Sequence, residues 1–223
     1  MAMPYRRTEN VVRRLAAREQ AILDAAATLA SERGMAAVQI AAVAERAGIA
    51  AGTVYRYFPS KTDLVAALIG ALAEREFAAL RAAGDGAPGP LSALAACIAT
   101  FAARAIHARH LLWAVTGEAV ELELDGLRLA FRRSLADELT ARMIAASGAG
   151  HLPDLDARIA APTVIGALLE GLIGPLAPLP GDETAAREAV QTATLLALRA
   201  LGVVDARARG LVAQIALPLR QAS

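Results

Sequence analysis

Apolar residues recur every three or four positions along most of the chain, which is the spacing of one helix face, and no segment alternates in the manner of a strand. The first run is followed by Gly34 and the second by Gly48, and glycine can adopt the left-handed conformation that ends a helix. A third helix is predicted from Ala51 to Phe58, before Pro59. The apolar positions of the first two runs are Ile22, Ala26, Leu29 and Ala30, then Ile40, Val43, Ala44 and Ala47. The pattern predicts an all-α protein that begins with three helices.

The second and third helices are joined by a tight turn, Gly48-Ile49-Ala50. Two short helices with such a turn are typical of the helix-turn-helix, whose second helix lies in the major groove of DNA. Ala51 and Gly52 are small enough to let the backbone approach the duplex. The groups able to meet phosphates or bases follow in Thr53, Tyr55, Arg56 and Tyr57. The pattern therefore predicts a DNA-binding surface on the third helix.

The start of the fourth helix adds a phosphate contact to this prediction. Ser60 is a good N-cap, with Asp63 three residues further on. Lys61, the only lysine in the chain, falls in the first helical turn, where backbone N–H groups attract anions such as phosphate.

Taken together, these residues resemble the TetR/AcrR family of bacterial transcriptional regulators over about residues 18–68. The matching positions are Ile22, Ala25, Ala26, Leu29, Gly34, Val43, Ala44, Ala47, Gly48, Ile49, Gly52, Thr53, Val54, Tyr55, Tyr57, Phe58, Ser60, Lys61 and Leu64. By position, the resemblance implies that Thr53, Tyr55, Tyr57 and Lys61 contact DNA. It also implies a three-helix DNA-binding domain followed by a larger helical domain that binds an effector and forms a homodimer.

Two positions depart from the family pattern. Gln39 stands where the family usually has a threonine that opens the second helix, and Ala50 replaces a common serine at the end of the turn. Both changes weaken local capping or remove a phosphate hydrogen bond. Gln39 stays among the predicted DNA contacts, and we expect affinity to depend more on arginine.

The N-terminal segment is rich in arginine. Five arginines stand against two glutamates before residue 20, a net charge of +3 in a chain whose total is +1. The charged residues of this arm are Arg6, Arg7, Glu9, Arg13, Arg14, Arg18 and Glu19. Such an arm could lie along phosphates or enter a minor groove, or it could be a solvated, frayed terminus. The sequence leaves both interpretations open.

Composition is consistent with a helical body. Of the 223 residues 56% are hydrophobic and 4% aromatic, which suits one or two domains with a sizeable core. The lone Cys97 excludes an intrachain disulfide and is expected in the core. The N-terminus is polar and basic with no apolar signal segment, so a cytoplasmic location is expected.

The fourth helix is predicted to run to about Arg81, before a glycine- and proline-rich linker over 84–90. We therefore predict a DNA-binding domain with its basic arm over 1–64 and an effector-binding and dimerisation domain over 65–223. Two helix faces of the second domain are Leu91, Leu94, Ile98, Phe101 and Ala105, then Leu127, Phe131, Leu135 and Leu139.

The segment from Ala160 to Pro180 is apolar and about as long as a bilayer requires. We reject a membrane span because Glu170 would lie near the bilayer centre and the segment is interrupted by glycines and prolines. Its apolar positions cover more than one helix face, as expected if one face packs inside the subunit and another meets a partner. Val190, Thr194, Ala197 and Leu201 predict a second helix beside it, and the family resemblance implies dimerisation through these two helices.

The effector site is less well defined by sequence. Six candidates combine apolar walls with orienting polar groups: Phe101, Arg104, His107, Trp113, Arg128 and Glu170. Each has another interpretation, because a lone tryptophan usually lies in the core, Arg128 could face solvent and Glu170 could cap a helix or pair across a dimer seam. His107 and His110 have helical spacing for a metal, but no cluster of carboxylates or cysteines completes such a site, so no metal or cofactor is predicted.

The resulting hypothesis is a ligand-responsive repressor that binds a palindromic operator as a dimer and is released by a small-molecule inducer. A regulator that activates transcription or lacks ligand control is one alternative. A helical enzyme is another, although the sequence contains no glycine-rich phosphate loop or zinc signature.

Overall fold

A computed structural model describes residues 5–118 and 122–215. Over these residues the chain is all-α, as predicted from the hydrophobic pattern. The helices are α1 (Tyr5–Arg33), α2 (Ile40–Arg46), α3 (Ala51–Tyr57), α4 (Lys61–Asp85), α5 (Pro90–His107), α6 (Arg109–Thr116), α7 (Leu122–Gly148), α8 (Ala157–Leu172), α9 (Glu183–Ala200) and α10 (Asp205–Gln214), with a short 3₁₀ helix over Met35–Ala37.

Helices α1 to α3 and the start of α4 form a small unit, which we call the head. Its core is closed by Ile22, Val43, Val54 and Leu64, all with no exposed surface. Both predicted stop glycines have left-handed backbones, with φ of 80° at Gly34 and 65° at Gly48. The side chains of Arg46 and Glu32 form two hydrogen bonds that tie α2 to the end of α1.

Helix α4 connects the head to the remaining helices, which we call the body. Ser60 caps it as predicted, because its Oγ accepts a hydrogen bond from the Asp63 backbone N–H at 3.0 Å. The helix runs to Asp85, beyond the predicted end near Arg81 and into the predicted linker. Gly84 lies inside this helix, where a Cβ would lie 2.8 Å from Cζ of Arg142 and 2.9 Å from Sγ of Cys97. This glycine allows close helix packing and does not end the helix.

Helix α5 is the centre of the body and packs against α4, α7 and α9. Most of its residues are buried, including Leu94, Ile98 and Phe101. Among the described residues, α5 is the helix that is long and apolar enough to cross a membrane, but two thirds of it is covered by the body. Cys97 is buried as predicted, and burial raises the pKa of its thiol to about 11. The thiol donates a hydrogen bond to the Leu80 carbonyl at 3.3 Å.

Helices α8 and α9 are each buried on one side and exposed on the other. Of the positions from which we predicted α9, Val190 and Thr194 have no exposed surface and pack inside the subunit, whereas Ala197 borders the groove between α8 and α9. The apolar residues of α8 that suggested two faces are likewise buried: Val164, Ile165, Leu168, Leu169, Leu172 and Ile173. Three of these residues, Val164, Leu168 and Leu172, also border a groove on the outer side of the helix pair, together with small residues and Leu196. The larger residues of α8 therefore pack in the core and form the floor of that groove.

Candidate functional site

The turn between α2 and α3 holds α3 at the surface of the head. The backbone N–H of Ile49 donates to the Ala44 carbonyl at 3.0 Å, and Gly48 N–H donates to Glu45 at 3.1 Å, so the chain reverses within a few residues. Val54 and Phe58 then anchor the inner face of α3 in the head core. The opposite face of α3 is consequently directed to solvent.

That outer face presents the residues predicted to meet DNA. Ala51, Gly52 and Arg56 are exposed, and Tyr55 is 53% exposed. Thr53 and Tyr57 lie at the edges of the face and are half-buried, as is Lys61 at the start of α4. No atom outside the immediate chain lies within 4 Å of where a Cβ on Gly52 would be, so the backbone there is open to a ligand. The contacts of these residues with DNA stay predictions.

The two departures from the family pattern have visible effects. Ala50 precedes α3 and makes no side-chain capping bond. Gln39 precedes α2, and its side chain also fails to cap that helix because its amide donates to the Ala36 carbonyl at 3.0 Å. The Gln39 side chain is therefore exposed at the start of α2 and does not cap this helix.

A contact that sequence reasoning missed joins the head to the body. Glu118, just after α6, accepts a hydrogen bond from the Met35 backbone N–H at 2.9 Å. A Cβ on Gly34 would lie 2.9 Å from the same carboxylate, so the glycine also provides room for it. Arg128 of α7 donates to the Glu118 carbonyl at 3.0 Å and pairs with Asp125. Glu118 is thus held between Met35, which follows α1, and Arg128 of α7.

The six predicted effector residues do not line one cavity. Arg104 and His107 share a cavity of about 40 Å³, which is large enough for about one water molecule. Arg128 donates a hydrogen bond to the Glu118 carbonyl. Glu170 is exposed on α8. Phe101 is a core residue of α5. The half-buried ring of Trp113 covers Gly117, where a Cβ would lie 2.4 Å from the ring. The six residues thus have different surroundings in the body, and their contact with an effector stays a prediction.

Arg104 has a partner that explains its position. Its Nε and one terminal nitrogen donate to the two oxygens of Glu76 at 2.6 and 2.7 Å, which is the bidentate geometry of a strong ion pair. Glu76 is 3% exposed, and its hydrogen bonds raise the pKa of Arg104 above the ordinary value. In the sequence, Glu76 interrupts the apolar positions of α4 between Leu72 and Leu80. That interruption could have indicated a buried acid with a basic partner.

Two cavities away from the α8 and α9 pair are of a size that holds small molecules. One, of about 440 Å³, lies between Ser31 at the end of α1, the junction of α5 and α6 with His107 and His110, and the start of α9 with Asp182 and Glu183. The other, of about 360 Å³, lies between the end of α4, α5 and α10, with Thr100 and Gln214 on its walls. Within the described ranges, no three histidine, cysteine or acidic side chains are grouped as metal ligands.

The head defines a helix-turn-helix DNA-binding unit attached to a helical body. Residues 22–68 match the sequence family described as bacterial regulatory proteins, tetR family. The chain is 54% identical over 72 residues to the HTH-type transcriptional repressor KstR of Rhodococcus jostii, and 48% identical over 68 residues to that of Mycobacterium tuberculosis. The first match covers 32% of each chain, and the second covers 30% of this chain and 29% of the relative. These matches thus span about a third of the curated relatives' length.

The fold is similar over most of the chain. The regulator FadR of Bacillus halodurans superposes with a TM-score of 0.72 over 84% of this chain and 97% of its own, at 23% identity. RolR, solved with its ligand resorcinol, has a TM-score of 0.64 over 95% of this chain and 100% of its own, at 21% identity. A TetR/AcrR regulator of Thermobifida fusca gives 0.64 over 81% of this chain and 96% of its own, at 21% identity. Residues 22–68 therefore belong to the DNA-binding domain of the TetR family of bacterial transcriptional regulators, and the chain as a whole has a similar fold to the solved regulators.

Proposed function

We propose that this protein is a transcriptional repressor that binds a palindromic DNA operator as a homodimer and is released by a small-molecule effector. The observation that supports DNA binding best is the outer face of α3, where exposed Ala51 and Gly52 stand beside Tyr55 and Arg56. A flat backbone flanked by hydrogen-bonding groups suits the major groove, which presents a distinct donor and acceptor pattern for each base pair. The repressors named above support the same role. Such a regulator acts on bacterial DNA, so we place it in the cytoplasm and propose no catalytic activity.

Dimerisation is supported by the outer face of α8 and α9. The two helices enclose an open apolar groove of about 420 Å³, lined by small residues such as Ala167, Gly171 and Ala193. Leu196 projects beside it and is 62% exposed. Small residues allow helices of two subunits to approach closely, and a two-fold dimer uses the same face twice. Two heads related in this way would address half-sites about one DNA turn apart.

Ligand control is supported by the contact between head and body. The Glu118 carboxylate accepts a hydrogen bond from the Met35 N–H just after the first helix, so a shift of Glu118 would act directly on the head. The 440 Å³ cavity has walls from both units, since Ser31 belongs to α1 and His107 to α5. An occupant of this cavity would contact both units, and would shift their equilibrium only through different affinities for two arrangements.

The proposed DNA contacts predict the effect of removing single groups at the edge of α3. Lys61→Ala should weaken binding to a duplex selected from a random library by the unmodified protein. Because a lysine contacts a phosphate, the salt slope of the binding constant should fall by about one unit for each subunit. Tyr57→Ala should also weaken binding. Fluorescence anisotropy over a range of salt concentrations measures both quantities, and circular dichroism checks the fold. Unchanged binding by both variants would contradict the assigned surface.

The contact between Glu118 and Met35 predicts a change in local opening. Glu118→Ala leaves a partly buried backbone N–H without its acceptor, which costs about 1–3 kcal/mol. The amide of Met35 should then exchange with deuterium about tenfold faster or more, as measured by mass spectrometry of peptides covering 34–38. Glu118→Gln keeps an acceptor oxygen and is the matched control. Equal exchange in the alanine variant and the unmodified protein would refute the role of this contact.

A further inference from the structure

Helix α1 extends well beyond the head. It has 29 residues, yet from Asn10 onward, where burial is described, the first buried residue is Ile22. Every side chain from Asn10 to Ala21 is exposed, so this part of the helix is not buried in the core of its own subunit. At 1.5 Å per residue, residues 5–21 span about 25 Å. We call residues 5–21 the helical arm.

The arm is the most basic part of the protein. It contains the five arginines and two glutamates of the N-terminal segment, a net charge of +3, whereas the whole chain carries only +1. The remainder of the chain therefore has a net charge of −2. Arg14 and Arg18 are exposed one helical turn apart, so they lie on the same side of the arm. This charge favours an anionic partner.

The arm projects from the end of α1 that lies away from the body. At the other end, Ser31 borders the junction of α5 and α6, and Gly34 and Met35 meet Glu118. About nine residues of α1 separate this end from Ile22, and the arm continues in the same direction. It consequently extends away from the end of α1 that contacts the body.

We propose that the helical arm is a second DNA-binding element, which lies across the sugar-phosphate backbone outside the half-site contacted by α3. This inference rests on the proposed DNA-binding function. The arm is long enough to pass the major groove, which is about 12 Å wide, and to reach phosphates on its far side. A helix that contacts only phosphates adds affinity without reading sequence. The protein would thus protect a longer stretch of DNA than its half-sites occupy.

The arm also exposes Val11, Val12 and Leu15. These residues lie on the same side of α1 as Ile22, which is buried in the head. An exposed apolar surface of this kind could instead bind a second copy of the chain. The charge on the same helix decides for DNA, because two arms of charge +3 repel each other.

The test compares two duplexes that share one selected core, the second extended by about 10 bp, or ~34 Å, at each end. The unmodified protein should bind the long duplex more tightly. Arg14→Gln/Arg18→Gln should lower affinity for the long duplex at least tenfold and reduce its salt slope by roughly three to four units, since a dimer loses four phosphate contacts. On the short duplex this variant should match the unmodified protein.

The matched control is Arg132→Gln/Arg133→Gln, which removes two exposed arginines from α7 of the body and should alter neither duplex. An arm variant with the unmodified salt slope on the long duplex would overturn the proposal. So would Val11→Ser/Leu15→Ser if it changed the subunit number in sedimentation, because the arm would then bind a second copy. If the unmodified protein binds the short and the long duplex equally well, the role of the arm is contradicted but the proposed function is not. If it binds no duplex at any salt concentration, the proposed function is contradicted as well.

Discussion

Gly52→Leu should abolish specific DNA binding while leaving the protein folded. The added side chain meets nothing within the protein, because the space around the Cβ position is empty to 4 Å, and leucine is a better helix former than glycine. It would project from the outer face of α3 and hold the backbone away from the base edges. Loss of a base contact costs about 1–3 kcal/mol, so the loss in both half-sites should weaken binding by roughly 100-fold or more.

Gly70→Leu is the control for this experiment. Gly70 is also an exposed helical glycine with no atom within 4 Å of its Cβ position, but it lies in the third turn of α4. Both variants should keep the thermal midpoint of the unmodified protein or raise it, and only Gly52→Leu should lose affinity for the selected duplex in anisotropy titrations. Equal binding by the two variants would show that α3 does not face DNA.

Leu196→Glu should produce a monomer. A charge placed at this position would have to be buried between the outer faces of two α8 and α9 pairs, where it has no partner. A monomer addresses a single half-site and loses the gain in effective concentration from the linked second head, which is typically 10² to 10⁴-fold. Sedimentation velocity should report the change in mass, and operator affinity should fall by about that factor.

Ile144→Glu tests whether any exposed apolar residue would give this result. Ile144 on α7 is 61% exposed, against 62% for Leu196, but it does not line the α8 and α9 groove. We expect this variant to remain a dimer with full affinity. If Leu196→Glu stays dimeric, the subunits meet through another surface.

The head could be derived from sequence because its determinants are local. Gly34 and Gly48 end helices through their own backbone conformation, and Ser60 caps α4 through a residue three positions away. Such features act within one turn of chain, so a single sequence displays them. The family resemblance covers the same region and supplied the roles assigned to Tyr57 and Lys61.

The body was harder to derive because its polar contacts join distant segments. Glu118 meets Met35 across 83 positions, and Arg104 meets Glu76 across 28. Sequence spacing contains no information about such pairs, so the ion pair between Arg104 and a buried acid could not be predicted. The predicted end of α4 before Gly84 was wrong for a related reason. The residue that packs against this glycine, Arg142, comes from another helix. The candidate cavities are likewise assembled from segments that are far apart in the chain.

The most direct test of the central claim is the selection of duplexes from a random-sequence library by the unmodified protein, followed by sequencing. The account predicts enrichment of an inverted repeat whose half-site centres lie about 10 bp, or one DNA turn, or a multiple of it apart. Gly52→Leu should enrich nothing from the same library. Recovery of unenriched sequence by the unmodified protein at every salt concentration would contradict the claim that α3 reads DNA.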